Sequence, residues 1–300
     1  MSNSPRLPGW DAVQAATVAE LSEAYAYAAM ARVAAPSGGP TVHISSLGGG
    51  LALRCAEDRR STLFNRVLGL GISESFEIGT AAAVAAHYAE QPGPWGLELA
   101  PAAMHDGTRF LLKQLRLRRS LPTAMLVMDC ADVSGAQPAW RVERVGLDRA
   151  ASAADVVEQV FSMSDPVASI LRRAPASAEF AQWVAFDGGR PVAACLIHMR
   201  GVTAWFGWSA TLPSHRGRGL QTALLWHSVR DAGQRGCRFV TAETATGTAD
   251  APDPSFRNMK RFGFAELYRR HGYLCLPRSP GARAAPRAAS EEPLGPHSRY

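Results

Sequence analysis

The sequence lacks any uninterrupted apolar stretch near the ~20 residues that a membrane-spanning helix requires. Residues 1–8 have neither the basic start nor the apolar core of a secretory signal. The five cysteines lie far apart and follow neither a disulfide pattern nor a zinc-ligand spacing with histidine. These absences predict a cytoplasmic protein with reduced thiols and no bound metal.

Aromatic residues make up only 8% of the chain, whereas basic residues are in excess, with a formal net charge of +6. A nucleic-acid-binding protein would combine basic residues with exposed aromatic residues on one face. The sequence does not show that pattern, so nucleic acid is not expected as a partner. The hypothesis of a nucleic-acid-binding module rests on net charge alone. A basic groove for a polyanionic cofactor is the more economical explanation of the charge.

One basic, glycine-rich stretch, residues 211–225, combines the features that an anion site at a helix N-terminus requires. It follows an apolar run at residues 202–208 that predicts a strand, and it leads into a run with helical periodicity. The first amides of a helix have no partner within the helix, and the helix dipole favours negative charge there. The glycines of Arg216-Gly-Arg-Gly219 allow close approach of a ligand, and the arginines supply donors suited to phosphate.

The order of this stretch and two later segments resembles the GNAT superfamily of acyl-CoA-dependent N-acyltransferases. The segments are a second predicted strand at residues 238–244 and the run Asn258-Met-Lys-Arg-Phe-Gly-Phe264. The signature loop of the family reads Arg/Gln-x-x-Gly-x-Gly/Ala. Arg216 and Gly219 match its first two positions, and Gln221 stands where a small residue is usual. The resemblance covers about residues 140–276 and implies acetyl-CoA or another acyl-CoA as co-substrate, without a metal.

The resemblance assigns the loop to the pyrophosphate, the end of the preceding strand to the pantetheine and thioester, and the late asparagine to a cofactor contact. The cofactor-binding residues implied in this way are Ser209, Ala210, Thr211, His215, Arg216, Gly217, Arg218, Gly219, Leu220, Gln221 and Asn258.

The two halves of the chain share a rough order of elements: helix, hairpin, strand, glycine-containing turn, helix, strand, helix, strand. We therefore predict an α/β (α+β) protein with two GNAT-like domains, each a mixed, mostly antiparallel twisted sheet flanked by helices. The predicted division is 1–134 for a degenerate GNAT-like domain, 135–277 for the catalytic domain and 278–300 for a disordered tail. An unrelated α/β domain in the first half stays open.

The first half is not expected to bind acyl-CoA. Its counterpart of the basic loop is Gly69-Leu-Gly71, which has no arginine in the turn and is followed by Glu74 and Glu77. Carboxylates at a helix start compete with phosphate for the same field. Because ligand sites favour domain interfaces, the first half is expected to form one wall of the acceptor pocket instead.

Acetyl transfer to an amine needs a base, and Glu243 is the leading candidate, with His198 second. Glu243 follows an apolar stretch late in its strand, and burial among apolar neighbours raises the pKa of a carboxylate. The alternative is a solvent-facing strand residue. Many family members donate a proton from a tyrosine at the position of Met259, which cannot do so. Tyr268 is the predicted substitute, with Tyr273 or solvent as alternatives.

Together these features predict an N-acetyltransferase that moves an acetyl or other acyl group from acyl-CoA to a primary amine by direct attack in a ternary complex. The acceptor is a small amine or a protein N-terminus. The departures at Gln221 and Met259 leave an alternative, a non-catalytic acyl-CoA-binding or scaffolding protein. A homodimer is a further open expectation, and no membrane partner is expected.

Overall fold

A computed structural model of the chain describes residues 10–248 and 250–276. In these ranges seven α-helices flank one continuous sheet of eleven strands. The helices are α1 (Ala12–Ala34), α2 (Ile78–His87), α3 (Asp106–Gln114), α4 (Ala150–Phe161), α5 (Asp165–Arg173), α6 (Leu220–Gln234) and α7 (Pro254–Phe262). The predicted tail, 278–300, and the segment 1–8 lie outside the described residues. Among the described residues, no helix has both the length and the apolar character that crossing a membrane requires.

The strands form a mixed sheet in the order β1-β2-β3-β4-β11-β5-β10-β9-β8-β7-β6. Their bounds are β1 (Val42–Leu47), β2 (Gly50–Cys55), β3 (Arg66–Leu68), β4 (Trp95–Leu99), β5 (Arg118–Asp129), β6 (Arg141–Val145), β7 (Phe180–Asp187), β8 (Arg190–Arg200), β9 (Thr203–Thr211), β10 (Phe239–Ala245) and β11 (Ala265–Cys275). Among these described strands only β3–β4 and β9–β10 pair in parallel, and each of these pairs is joined through a helix. The prediction of a mixed, mostly antiparallel sheet flanked by helices is confirmed.

The last strand of each half is inserted into the other half. β5 pairs with β10, and β11 pairs with β4, so that β5 and β11 lie side by side at the centre of the sheet. Thr123 and Arg270 are directly opposite each other in this central pair. The register of β5 and β11 therefore relates the two halves by an approximate twofold axis that passes between these two residues. The sheet continues across residue 134, and the division of the chain there stays a prediction.

Helix α1 precedes the first sheet strand but packs against both halves. It contacts β2 and β3 of the first half and α5, β9 and β10 of the second. Its alanines are mostly buried, and small side chains allow a helix to lie close to a sheet. Asp11 begins the helix with a capping box, in which Asp11 Oδ1 accepts from the Gln14 backbone N–H and Gln14 Oε1 accepts from the Asp11 backbone N–H. This placement carries Glu20, Glu23 and Tyr27 toward the middle of the sheet.

Candidate functional site

The site begins where β9 and β10 separate. The two strands pair in parallel only as far as Phe206 and Ala242, although both continue beyond these residues. The pairing of β9 with β8 changes register between Ala194 and Leu196, opposite Trp208, whose φ of 52° is left-handed. Such a bulge redirects the strand and its amides. Backbone groups at the carboxyl ends of β9 and β10 therefore face a gap rather than each other.

A cavity of about 1100 Å³ occupies this gap and is lined by both halves of the chain. The second half contributes the end of β9, the basic loop, the start of α6, the end of β10 and α7. The first half contributes parts of α1, β4 and β5 and the segment 62–66. The predicted site residues that line the cavity are Ser209, Ala210, Thr211, His215, Arg216, Gly217, Gly219, Leu220, Gln221, Glu243 and Asn258. Arg218 and Tyr268 are not among the residues that line it.

The basic loop presents an open helix N-terminus to the cavity. Gly217 and Gly219 have φ of 75° and 79°, in the left-handed region that favours glycine. A Cβ at either position would meet no heavy atom of the described residues within 4 Å, so this space is open to a ligand. Gly219 begins α6 without a side-chain cap, and the first turn of α6 contains no acidic residue. The positive end of the helix dipole therefore faces the cavity beside Arg216.

Two residues of the loop are held from outside the cavity. The Arg218 guanidinium lies 4.9 Å from the centre of the Trp140 ring, and Trp140 Nε1 donates to the Arg218 carbonyl at 2.8 Å. Asp187 Oδ2 lies 3.4 Å from Arg218 Nη1 and 3.2 Å from His215 Nε2. Trp140 and Asp187 thus stabilise the shape of the loop from positions remote in sequence.

Gln221, the departure from the family signature, joins α6 to α7. Its side-chain amide donates to Ser255 Oγ at 2.7 Å and accepts from Asn258 Nδ2 at 3.0 Å. Thr222 Oγ1 donates to Asn258 Oδ1 at 3.3 Å. The long side chain at this position is therefore occupied by α7, and it fixes Asn258 at the edge of the cavity.

Behind the opposite end of the cavity lies a buried charge cluster, formed by Glu20, Glu23, Arg66, Glu98, Glu243 and Arg270. Arg270 is 1% exposed and hydrogen-bonds both α1 carboxylates, Glu20 and Glu23. Arg66 donates to Glu23 at 3.0 Å. Buried charges are costly unless they are paired, and here four carboxylates share two guanidinium groups. Burial, opposed by Arg270, raises the pKa of Glu23 to about 7.

Glu243 reaches the cavity from β10, and its surroundings differ from those predicted. The expectation of apolar neighbours is wrong, because Arg270 Nη2 lies 3.4 Å from Glu243 Oε2. Arg270 comes from β11, which the exchange of strands brings near β10. The guanidinium therefore orients the carboxylate that sequence reasoning selected as the base.

The remaining catalytic candidates lie elsewhere. The Tyr268 hydroxyl donates to Glu20 Oε1 at 2.9 Å, and burial raises its pKa well above the ordinary value. His198 is buried, with Nε2 3.6 Å from Glu179 Oε2, and burial lowers its pKa. His198 lines a smaller pocket beside Trp10 rather than the large cavity. Neither side chain is thus directed to the gap between β9 and β10.

Sequence reasoning missed the aromatic and first-half residues of the cavity. Trp205, Trp208 and Tyr27 form an aromatic wall. A Cβ at Gly207 would lie 2.0 Å from the Trp205 ring, so only glycine leaves room for that ring. Glu98 lines the cavity from β4. The sequence carried one signal for Glu98, a similarity between its two halves. Leu97-Glu-Leu-Ala100 and Ala242-Glu-Thr-Ala245 each place a glutamate at the same position of a strand, the one that follows the helix after the glycine-containing turn.

The raised pKa of Glu23 predicts a pH-dependent stability. Its pKa is about 7 in the folded protein against an ordinary 4.5, so the folded state binds more protons in this window. The free energy of unfolding should therefore fall as pH rises from about 4.5 to about 7, by up to about 3 kcal/mol. The variant Glu23→Gln has no carboxyl group to titrate at this position. Denaturant unfolding should therefore show a smaller fall in its free energy of unfolding over the same pH range. Exposed Glu90→Gln should keep the wild-type dependence. If the free energy of unfolding depended on pH in the same way in wild type and Glu23→Gln, the raised pKa of Glu23 would be contradicted.

Part of the chain matches a known protein family. Residues 155–273 match the model of the acetyltransferase (GNAT) family. No curated protein matches the chain.

Solved structures extend the likeness over both halves. A GCN5-related N-acetyltransferase from Kribbella flavida is 15% identical, with a TM-score of 0.58, over 86% of this chain and 96% of that one. A tandem GNAT protein from the clavulanic acid biosynthesis pathway is 17% identical, with a TM-score of 0.55, over 90% and 98%. A third, from Sphaerobacter thermophilus, is 14% identical, with a TM-score of 0.52, over 77% and 81%. At these identities the likeness shows the fold alone, and that fold is the tandem arrangement predicted from the repeated element order.

Proposed function

Since residues 155–273 are a GNAT acetyltransferase domain, we propose that the protein is an N-acetyltransferase that transfers an acetyl or other acyl group from acyl-CoA to a primary amine. One observation carries the proposal. A single cavity joins the open N-terminus of α6 to the carboxylate of Glu243, through the separated ends of β9 and β10. The site therefore provides a place for phosphate at one end and a proton acceptor at the other.

The cofactor end would hold the pyrophosphate of acyl-CoA. Amides of the first turn of α6 and the guanidinium of Arg216 supply donors and positive charge. Arg257 and Arg261 of α7 also line the cavity. Amides along the end of β9, from Ser209 to Thr211, would hold the pantetheine and thioester. Arg218, which lies outside the cavity lining, would support the loop through Trp140 and Asp187.

The reaction would proceed by direct attack. The amine nitrogen bonds to the thioester carbonyl carbon, the carbonyl oxygen becomes an oxyanion, and amides near the β9 bulge stabilise it. Glu243 accepts the proton lost by the amine. The carbon–sulfur bond then breaks, and the thiolate of CoA takes a proton from solvent, because Tyr268 donates to Glu20 instead of facing the cavity. The products are the amide and free CoA.

Calorimetric titration of the purified protein with acetyl-CoA is the experiment that tests this function, with CoA and ATP as controls. We expect acetyl-CoA and CoA to bind at one site per chain, and ATP to bind at least about tenfold more weakly because it lacks the pantetheine that β9 would hold. Release of CoA thiol in the presence of an amine measures turnover. No binding to folded protein would refute the proposal, and binding without turnover of any amine would make the protein a non-catalytic acyl-CoA binder.

The cytoplasmic location and the homodimer stay predictions.

A further inference from the structure

The charges that line the cavity are partly separated along its length, since Asp253 lies beside the arginines of one end and Arg66 lies beside the carboxylates of the other. Arg216, Arg257 and Arg261 lie at the end formed by the basic loop and α7. The carboxylates of Glu98 and Glu243 lie at the end formed by the centre of the sheet. A polyanionic cofactor fits the first end, so the second end has the charge that suits a cationic acceptor.

Glu98 and Glu243 are equivalent positions of the two halves. Each follows the parallel stretch of its strand, and each strand pairs with the strand inserted from the other half. Both carboxylates approach the same guanidinium, that of Arg270, at 3.8 and 3.4 Å. The two groups are therefore close enough for one small molecule to contact both.

The buried charge cluster carries an excess of negative charge. Its two guanidinium groups hydrogen-bond the α1 carboxylates Glu20 and Glu23, which are fully buried. The side chains of Glu98 and Glu243 keep 14% and 19% exposure and line the cavity. With four carboxylates and two guanidiniums in the cluster, a proton on Glu23, whose pKa is raised, offsets one of the two excess charges, and a ligand with positive charge at this end would offset the other.

A second, independent observation points to a ligand at the same place. Thr123 lines the cavity, is 4% exposed and has no hydrogen-bond partner for Oγ1 among the described residues. It lies opposite Arg270 on β5, between the strands that carry Glu98 and Glu243. A buried hydroxyl without a partner is costly, and an ammonium group would donate to it.

We propose that the acceptor is a diamine. Its neutral amine attacks the thioester beside Glu243, and its second, protonated amine is held by Glu98 and by Thr123 Oγ1. This assignment rests on the proposed function and makes Glu98 a specificity-determining residue supplied by the half without the basic loop. The acyl-transfer step is the one already described, because the second ammonium group keeps its proton throughout the reaction.

Putrescine and butylamine provide a matched pair of acceptors, since they share a four-carbon chain and differ by one ammonium group. We expect kcat/KM for putrescine to exceed that for butylamine by about 10- to 100-fold, the effect of a charge-assisted hydrogen bond. Glu98→Gln should bring this ratio close to one. Thr123→Val keeps the shape of the side chain, removes a hydroxyl that bonds none of the described residues, and should lower the ratio by about 2- to 10-fold. Exposed Glu90→Gln is the control for the change of charge and should leave the ratio as in wild type.

Two results would overturn the diamine assignment while acyl transfer stands. One is a wild-type ratio of kcat/KM for putrescine and butylamine near one. The other is a ratio that stays at the wild-type value in both folded variants, Glu98→Gln and Thr123→Val. Calorimetric titration of the CoA-saturated protein with putrescine and with butylamine tests the same subsite without turnover. Tighter binding of putrescine, weakened by Glu98→Gln, supports the ammonium subsite at Glu98 independently of turnover. Equal affinity for the two amines refutes it while acyl transfer stands, whereas failure to bind acetyl-CoA refutes the proposed function and, with it, the role of the diamine as acceptor.

Discussion

The double variant Arg216→Ala/Gly219→Glu is expected to bind acetyl-CoA about 100-fold or more weakly than wild type while remaining folded. Arg216 lines the cavity beside the start of α6, and its removal would delete the charge-assisted contact proposed for the pyrophosphate. A glutamate at position 219 places a carboxylate at the helix N-terminus, where it occupies the field that the pyrophosphate requires. The new side chain meets no heavy atom of the described residues within 4 Å of its Cβ, so it enters the ligand space.

A matched control separates loss of the site from backbone strain. Gly236, just beyond α6 at its far end, also has a left-handed φ, 89°, with open space where a Cβ would lie. Gly236→Glu combined with Arg190→Ala, an exposed arginine, makes the same chemical changes away from the cavity. Calorimetry should show wild-type affinity for this control, and thermal unfolding should show that both double variants are folded. Wild-type affinity in folded Arg216→Ala/Gly219→Glu would remove the loop from the cofactor site.

The basic loop could be predicted because its signals are local. A strand, two glycines between arginines and a helix start follow one another within residues 202–225, and each depends on near neighbours in the chain. Left-handed φ at Gly217 and Gly219 and the uncapped start of α6 are the forms that these residues favour. The hairpin of β1 and β2 was predictable for the same reason, since Gly48 and Gly49 form its turn.

The sheet end of the cavity, where Glu98 and Glu243 lie, could not be predicted, because it depends on which distant strands pair. Hydrophobic alternation indicates that a strand exists and which side is buried, but not its neighbour in a sheet. The exchange of β5 and β11 alone brings Arg270 between Glu98 and Glu243, and the placement of α1 adds Glu20 and Glu23. Tyr268 was selected as an acid from its residue type, and it faces Glu20 because of that same placement. A comparison of the two halves residue by residue would have revealed Glu98, since the internal repeat preserves its position.

Glu243→Gln is expected to lower kcat by about 10²- to 10⁴-fold, the usual contribution of a general base, while acetyl-CoA binding stays within about threefold of wild type. The glutamine keeps the size of the side chain and the place beside Arg270 but cannot accept the proton of the attacking amine. The fold should tolerate the change, because the buried charge cluster contains four carboxylates for two guanidinium groups and loses one of the excess charges. Glu266→Gln on β11, outside the cavity, is the control for the substitution itself.

The pH dependence distinguishes a base from a residue that only shapes the pocket. In wild type, kcat/KM should fall at low pH as the carboxylate that accepts the proton becomes protonated, and this limb should be missing from the profile of Glu243→Gln. Glu243→Asp restores a carboxylate at a shorter reach and should recover part of the rate together with the acidic limb. A loss of rate in Glu243→Gln with the wild-type pH profile would assign Glu243 to positioning the amine. Wild-type kcat of Glu243→Gln at every pH would exclude Glu243 as the proton acceptor. Glu98 is the other carboxylate that the two halves direct to the sheet end of the cavity, and the test would then pass to it.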